Sequence, residues 1–244
     1  MIRITFVFLF LILFLVLGIP VLGIEWLIGR FSKNTMDYST LRIVQWGFNT
    51  ILKITGVEIT VIGEENVPDE PVLFIGNHRS YFDILITYAR CKRLTGYIAK
   101  KEMLSIPLLS TWMKRLYCLF LDRSNPKEGL KTILQAIDYI KQGISICIFP
   151  EGTRNKGAEL SLLPFHNGSF KIADKTGCAI IPMSINNTAD IFESHFPRIK
   201  KTHVILEYGT PIYPKELDKE TKKHIGEYCS SIIQETINKN QALL

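Results

Sequence analysis

The sequence predicts a single α/β domain with a largely parallel or mixed central sheet flanked by helices, preceded by an N-terminal membrane helix and an amphipathic interfacial helix. Three observations carry that reading. Residues 4–24 hold no charge. Beyond residue 56, short apolar runs alternate with helix-period segments, the order that builds strand-helix-strand units. Two of those runs, within 72–83 and 145–154, end in polar loops bearing ionisable side chains, which is how such sheets place chemistry at their edge. The 244 residues thus divide into a membrane anchor and interfacial helix over 1–55 and an α/β domain over 56–244, enough chain for one large core but not for two.

Ile4 to Ile24 spans 21 uncharged residues, which at about 1.5 Å per residue matches roughly 30 Å of bilayer hydrocarbon. No small-residue cleavage site follows, so an uncleaved anchor is favoured over a signal peptide. Arg3 precedes the segment while Arg30, Lys33 and Arg42 follow it closely, and the excess of cations places the body of the protein on the cytoplasmic side. Pro20 and Gly23 leave room for a kinked or re-entrant element. The expected location is therefore the membrane, single-pass or monotopic. Next, Leu41, Val44, Phe48, Ile51 and Leu52 recur at helical spacing with Trp46 beside them. That stripe suits an interfacial helix or one packed on the core.

Val57 to Ile62 alternates weakly, like an edge strand, and Pro68 and Pro71 break the chain before a strand ending at Ile75. Ile84 to Ala89 reads as a short helix, and Tyr97 to Ala99 as a strand leading to Lys100 and Lys101. Ile106 to Met113, with Pro107 and Trp112, belongs to the core or to the wall of an apolar site. Leu119 to Arg123 is a strand with Asp122 and Arg123 at its exit. Asn125 and Pro126 open a helix whose face is Leu130, Ile133, Leu134, Ile137 and Ile140, ended by Gly143. The strand ending at Phe149 follows, then a polar loop over Asn155 to Leu160. A helix over Pro164 to Ala173 stops at Gly177. Cys178 to Ile185 is a strand in which Pro182 predicts a bulge or lost pairing. Thr202 to Tyr208 gives a last strand, and Lys215 to Lys239 a charged surface helix.

The 29 basic and 23 acidic residues leave +6, and the pI is near 9.0, which suits an anionic surface or substrate. No helix-turn-helix, zinc-finger spacing or RNA-binding signature accompanies the charge, so a phospholipid headgroup layer is the expected partner and nucleic acid is not. The five cysteines are scattered and odd in number. They read as reduced, mostly buried small hydrophobes. A catalytic Cys147 is the sharper alternative, but it sits in a strand with no adjacent base. His195, His203 and His224 fit no metal spacing; neither metal nor cofactor is expected.

His78 and Asp83 lie five apart at the first strand exit. A neutral imidazole accepts a proton from a hydroxyl at neutral pH, and a carboxylate on its other nitrogen fixes the tautomer and balances the imidazolium. The spacing alone is equally that of a solvated loop histidine. Ser80 suggests a hydrolase nucleophile, yet no Gly-x-Ser-x-Gly elbow surrounds it. The second loop, Phe149-Pro150-Glu151-Gly152-Thr153-Arg154, changes the balance. Together, His78-x-x-x-x-Asp83 and this block resemble the signature pair of the glycerophospholipid acyltransferases, most closely the lysophosphatidic acid (1-acyl-glycerol-3-phosphate) acyltransferases. Phe120-Leu121-Asp122-Arg123 resembles the second motif of that family and Ile180-Ile181-Pro182-Met183-Ser184 the fourth. The four ordered blocks cover about residues 70 to 190. One departure stands out: the family commonly has glycine about six residues before the motif arginine, where this chain has Tyr117. Loss of that glycine would remove conformational freedom and room near the acceptor.

The resemblance implies transfer of an acyl group from acyl-CoA or acyl-carrier protein to a lysophospholipid hydroxyl, with His78 as general base and Asp83 orienting it. Arg154 would grip the acceptor phosphate through its planar fork, helped by Arg123 and by Lys100 or Lys101. Glu151 would hold the loop or bond the acceptor glycerol, Gly152 would let backbone pass close to substrate, and Thr153 would donate a hydrogen bond or cap the turn. Without the His78 block, the 149–154 loop would read as an Arg-Glu pair stiffening a turn. Three functions follow: acylation of lysophosphatidic acid, the same chemistry on another lysophospholipid or glycerol-3-phosphate, and a lipid-binding protein without turnover.

Overall fold

The computed structural model describes residues 1–157 and 161–244. The distal half of the polar loop expected over 155–160 lies outside the described residues. Two antiparallel N-terminal helices, α1 (Ile2–Phe31) and α2 (Lys33–Thr55), open the chain. Ser32 makes the turn between them, its hydroxyl accepting the amide of Thr35 at 3.2 Å, the usual device for a helix start. Gly56 ends α2 at φ +71. α2 packs toward the sheet through Leu41, Val44, Ile51 and Leu52, and its Gln45 donates to the carbonyl of Cys91 at 2.7 Å. α1 lies against α2, with Phe14 over Gly47. The buried Glu25 carboxylate accepts the Ser39 hydroxyl at 2.6 Å.

The sheet has seven strands: β1 (Glu58–Ile62), β2 (Leu73–Gly76), β3 (Thr95–Lys100), β4 (Leu119–Leu121), β5 (Ser145–Ile148), β6 (Ile180–Asn186) and β7 (His203–Tyr208). Their order is β1-β7-β6-β2-β5-β3-β4. β2 to β6 run parallel, while β7 is antiparallel to β6 and carries β1 parallel to itself, so the sheet is mixed. β1 is an edge strand, as its weak alternation predicts. Pro182 makes no bulge. Its carbonyl accepts the Gly209 amide at 2.8 Å, the ladder to β7 begins only at Met183, and the pairing with β2 runs through unbroken. The missing N–H is lost on one side only.

Helices cover both faces, through α3 (Phe82–Tyr88), α4 (Leu109–Arg115), α5 (Pro126–Lys141), α6 (Lys171–Thr176), α7 (Lys219–Lys223) and α8 (Ile225–Asn240). Strand alternation sorts the core: Val72, Phe74, Cys147 and Phe149 face the layer holding α2, α3 and Trp112. Leu73, Ile75, Ile146 and Ile148 face Ile137 and Ile140 of α5 and Ile233 and Ile237 of α8. The 126–141 helix matches its sequence signals closely, with Asn125 accepting the amides of Lys127 and Glu128 at its start. The expected 215–239 helix is two, because Asp218 caps the amides of Glu220 and Thr221 and the chain turns at His224 before α8. The 164–173 segment enters helix late, through a 3₁₀ turn at Asn167–Phe170, and Gly177 ends it at φ +76.

Candidate active site

β6, β2 and β5 are neighbours, with Ile75 opposite both Ile148 and Pro182, so the three loops leaving their carboxyl ends converge. Asn77 fastens the first to the second by donating to the Ile185 carbonyl and accepting its amide, each at 2.8 Å. One residue further, His78 Nδ1 lies 2.8 Å from Asp83 Oδ2. A carboxylate only accepts, so Nδ1 carries the proton and Nε2 keeps the lone pair. The ring stacks on Phe149, centroids 4.4 Å apart and planes at 17°, which fixes its second degree of freedom.

Asp83 is fully buried, a position that ionised carboxylates hold only when well bonded. Its Oδ2 accepts the amides of Arg79 at 2.7 Å and Ser80 at 2.8 Å, and its Oδ1 accepts the Thr188 hydroxyl. Glu151, also buried, ties the loops by accepting the His78 amide at 2.7 Å and the Leu163 amide at 3.0 Å. Burial pushes its carboxyl above the usual range, and these two amide bonds hold it back. The Asn155 amide donates to the His78 carbonyl at 2.7 Å. Two of these bonds, with a third from the Arg79 guanidinium to the Gly157 carbonyl at 3.0 Å, hold the 77–83 and 149–157 loops together.

The Arg154 guanidinium carbon lies over the Tyr81 ring, 3.7 Å from its centroid, and Arg154 donates to Glu193 at 3.0 Å. Glu193 also accepts the Ser80 hydroxyl at 2.7 Å and the Tyr81 amide at 2.9 Å. Ser80 is thus engaged, and Cys147 is buried with its thiol pushed well up by desolvation; neither is poised as a nucleophile. A cavity of about 460 Å³ beside Arg154 is walled by Arg79, Tyr81, Lys156, Phe192, Glu193 and Phe196. His78 is not in that wall.

The remaining candidates lie on the loop leaving β5 and at the exits of β3 and β4. Gly152 takes φ +73, and a side chain there would press on the Arg123 guanidinium at 3.2 Å, so the glycine brings the exposed Arg123 against the second loop. Lys101 pairs with Asp122 at 2.8 Å. Lys100 is exposed and, among the described residues, joins no ion pair. Thr153 is exposed and makes no side-chain hydrogen bond among them. Tyr117 retains a left-handed φ of +59, a conformation natural to glycine. Its hydroxyl donates to Asp37 and its ring meets Tyr139 edge-on at 5.2 Å. Tyr117 precedes β4 and Arg123 follows it, so the missing glycine falls at the opposite end of the strand from Arg123.

A family model for acyltransferases matches residues 58–186, the interval that holds all of these loops up to Asn186. The chain belongs to the acyltransferase family. Among relatives, a 1-acyl-sn-glycerol-3-phosphate acyltransferase from Haemophilus influenzae is 29% identical across 93% of this chain and 92% of its own. One from Cocos nucifera is 30% identical across 89% and 68% respectively. The Saccharomyces cerevisiae protein of that name is 29% identical over 78% of this chain, which spans 63% of its length. The crystal structure of the LPA acyltransferase PlsC from Thermotoga maritima shares the fold, with a TM-score of 0.83 at 23% identity, covering 99% of this chain and 95% of that one. In this acyltransferase, sequence reasoning missed Thr188, Glu193 and the Phe149 stack. The first two arrive from the turn after β6, about a hundred residues from the loop they brace, and no local signal marks them.

Proposed function

We propose that this acyltransferase moves a fatty acyl group from acyl-CoA or acyl-carrier protein to the free hydroxyl of lysophosphatidic acid, making phosphatidic acid. The observation that carries the reading is the His78 imidazole, bonded at Nδ1 to a buried carboxylate and braced by Phe149, with Nε2 left to accept a proton. Nε2 takes the proton of the acceptor hydroxyl as its oxygen attacks the thioester carbonyl; the imidazolium, balanced by Asp83, returns it to the departing thiolate. Transfer is direct, because Ser80 and Cys147 are occupied or buried. No cofactor takes part.

Arg154 binds the acceptor phosphate in this reading. Glu193 engages one nitrogen of its fork, which leaves further N–H donors for an anion. Arg123 and Lys100 supply the remaining charge, Lys101 being held by Asp122. Glu151 and Gly152 shape the loop, and Thr153 is free to reach the substrate. Residues 1–55 form the anchor and 56–244 the catalytic domain. α1 is the described helix long and apolar enough to cross a membrane, but it lies along α2, and α2 lies on the domain. A monotopic arrangement on the cytoplasmic face, with α1 lying in one leaflet, fits that packing.

The test is transfer by purified protein from labelled acyl-CoA and acyl-carrier protein to a panel of acceptors: lysophosphatidic acid, other lysophospholipids, glycerol-3-phosphate and a monoacylglycerol. Lysophosphatidic acid should be preferred, and Arg154→Ala should raise its apparent KM. An equal loss on monoacylglycerol would overturn the phosphate clamp, and no transfer to any acceptor would leave a lipid-binding protein.

A further inference from the structure

Residues 103–108, Met103-Leu104-Ser105-Ile106-Pro107-Leu108, follow the exit of β3. Loops of a water-facing domain are ordinarily polar. Here Leu104 and Ile106 are 43% and 41% exposed, and Pro107 is exposed beside them. The backbone that presents them is fixed. The Ile106 amide reaches the Met103 carbonyl at 3.3 Å, the Leu109 amide reaches that of Pro107 at 2.6 Å, and the Ser105 hydroxyl that of Glu102 at 2.7 Å. Leu108 takes φ +61, a strained conformation for a side-chain-bearing residue.

The loop is not isolated from the N-terminal helix. In α4, directly after it, Trp112 meets Phe14 at 5.6 Å between ring centroids, the planes tilted by 38°, and lies over Gly18 at 3.0 Å from the position a side chain would take. Arg115 donates to the Leu22 carbonyl at 2.9 Å. α4 therefore runs in the same direction as α1, and the apolar tip ahead of it lies toward the part of α1 before Phe14. That part exposes Phe6, Phe8, Leu9, Ile12 and Leu13, with Trp46 beside Phe10. Around the tip, Lys100 and Lys114 are exposed and join no ion pair among the described residues. Lys101 is matched by Asp122, and Glu102 faces Arg123.

We propose that residues 103–108 are a second membrane-insertion element, entering the headgroup and upper acyl region of an anionic bilayer beside α1 and setting the height at which the His78 loop meets its lipid. The proposal rests on the reading of α1 as membrane-embedded. A bilayer is the occupant because the apolar tip continues the exposed apolar side of α1, and because the unpaired lysines at its rim suit anionic headgroups, which attract basic residues near their surface.

The experiment uses the full chain with Cys118→Ser, the other four thiols being buried, and a single NBD-labelled cysteine at Leu104→Cys, Phe8→Cys or Lys131→Cys. Vesicles contain phosphatidylcholine with phosphatidylglycerol, whose anionic headgroups give the surface a negative potential. The Leu104 label should shift to the blue and be quenched by lipid-borne quenchers as the Phe8 label is, while the Lys131 label on α5 stays unchanged. A water-like Leu104 label beside a quenched Phe8 label would overturn the inserted loop and leave the α1 anchor standing; two water-like labels would overturn the anchor, and the loop with it. Leu104→Asp with Ile106→Asp should slow transfer to a vesicle-borne lysophospholipid at least fivefold and leave a short-chain acceptor in free solution unaffected. An equal loss on both would mean a structural role and overturn membrane insertion.

Discussion

The loops leaving β2 and β5 and those leaving β3 and β4 carry the same kinds of side chain, yet the structure treats them in opposite ways. At the centre, the charges are partnered within the fold: Asp83 accepts two amides, an imidazole and a hydroxyl, Glu151 accepts two amides, and Arg154 rests on an aromatic face and gives one nitrogen to a carboxylate, keeping further N–H donors. At the edge, Lys100 and Arg123 are exposed, and Lys101 is held only by its surface partner Asp122. The difference follows from position in the sheet. A central strand has neighbours on both sides whose loops supply donors, whereas β4 is an edge strand with one neighbour and the last residues of β3, Ile98–Lys100, pair with β4 alone. The centre is therefore held in fixed geometry, while the edge carries exposed charge with few partners in the fold.

The contrast predicts a graded set of effects. The largest falls on the fixed centre: His78→Ala should reduce kcat by about 10²- to 10⁴-fold, the usual worth of a positioned base, with unchanged circular dichroism. Initial rates measure it, and undiminished turnover would place the chemistry elsewhere. Glu151→Ala should cost about 2–4 kcal/mol in urea unfolding, since it strands the buried amides of His78 and Leu163, while Glu151→Gln, whose amide oxygen still accepts, should lose much less. At the exposed edge, Arg123→Ala should raise KM for a phosphate-bearing acceptor about tenfold and change kcat little, as expected of one charge-assisted contact. A kcat loss matching that of His78→Ala would erase the distinction between centre and edge.

The smallest effect concerns acid. Hydrogen bonds from Lys101 and Ser124 hold the Asp122 carboxyl down at about 2, against its usual 3.8. A depressed carboxyl stabilises the fold above the unfolded value and loses that contribution as pH falls from 3.8 toward 2. Asp122→Asn should therefore lower stability slightly at neutral pH and flatten the acid limb of the unfolding profile by the same small amount across that window, both kept small because solvent screens the pair.

Much of the site was readable because its signals are local. His78 and Asp83 lie within one turn of chain, Glu151 and Arg154 within another, and each block follows an apolar run that announces a strand. The Asn125 cap with Pro126 fixed a helix start for the same reason. Thr188 and Glu193 were not readable, since their meaning depends on β6 lying beside β2. Nor was the role of Tyr117, whose left-handed backbone is held by Asp37 and Tyr139 from α2 and α5, far away in sequence.

By itself, then, the sequence determined the alternation of strands and helices, the apolar N-terminus, and which loops bear His78, Asp83 and the cations, all of them properties of residues near one another along the chain. The tertiary structure alone decided which of those charges became fixed and which stayed free, and that α1 lies along α2 beside the domain. Those outcomes depend on strand order and on long-range hydrogen bonds, and a buried carboxylate keeps its charge only where the fold brings it enough donors.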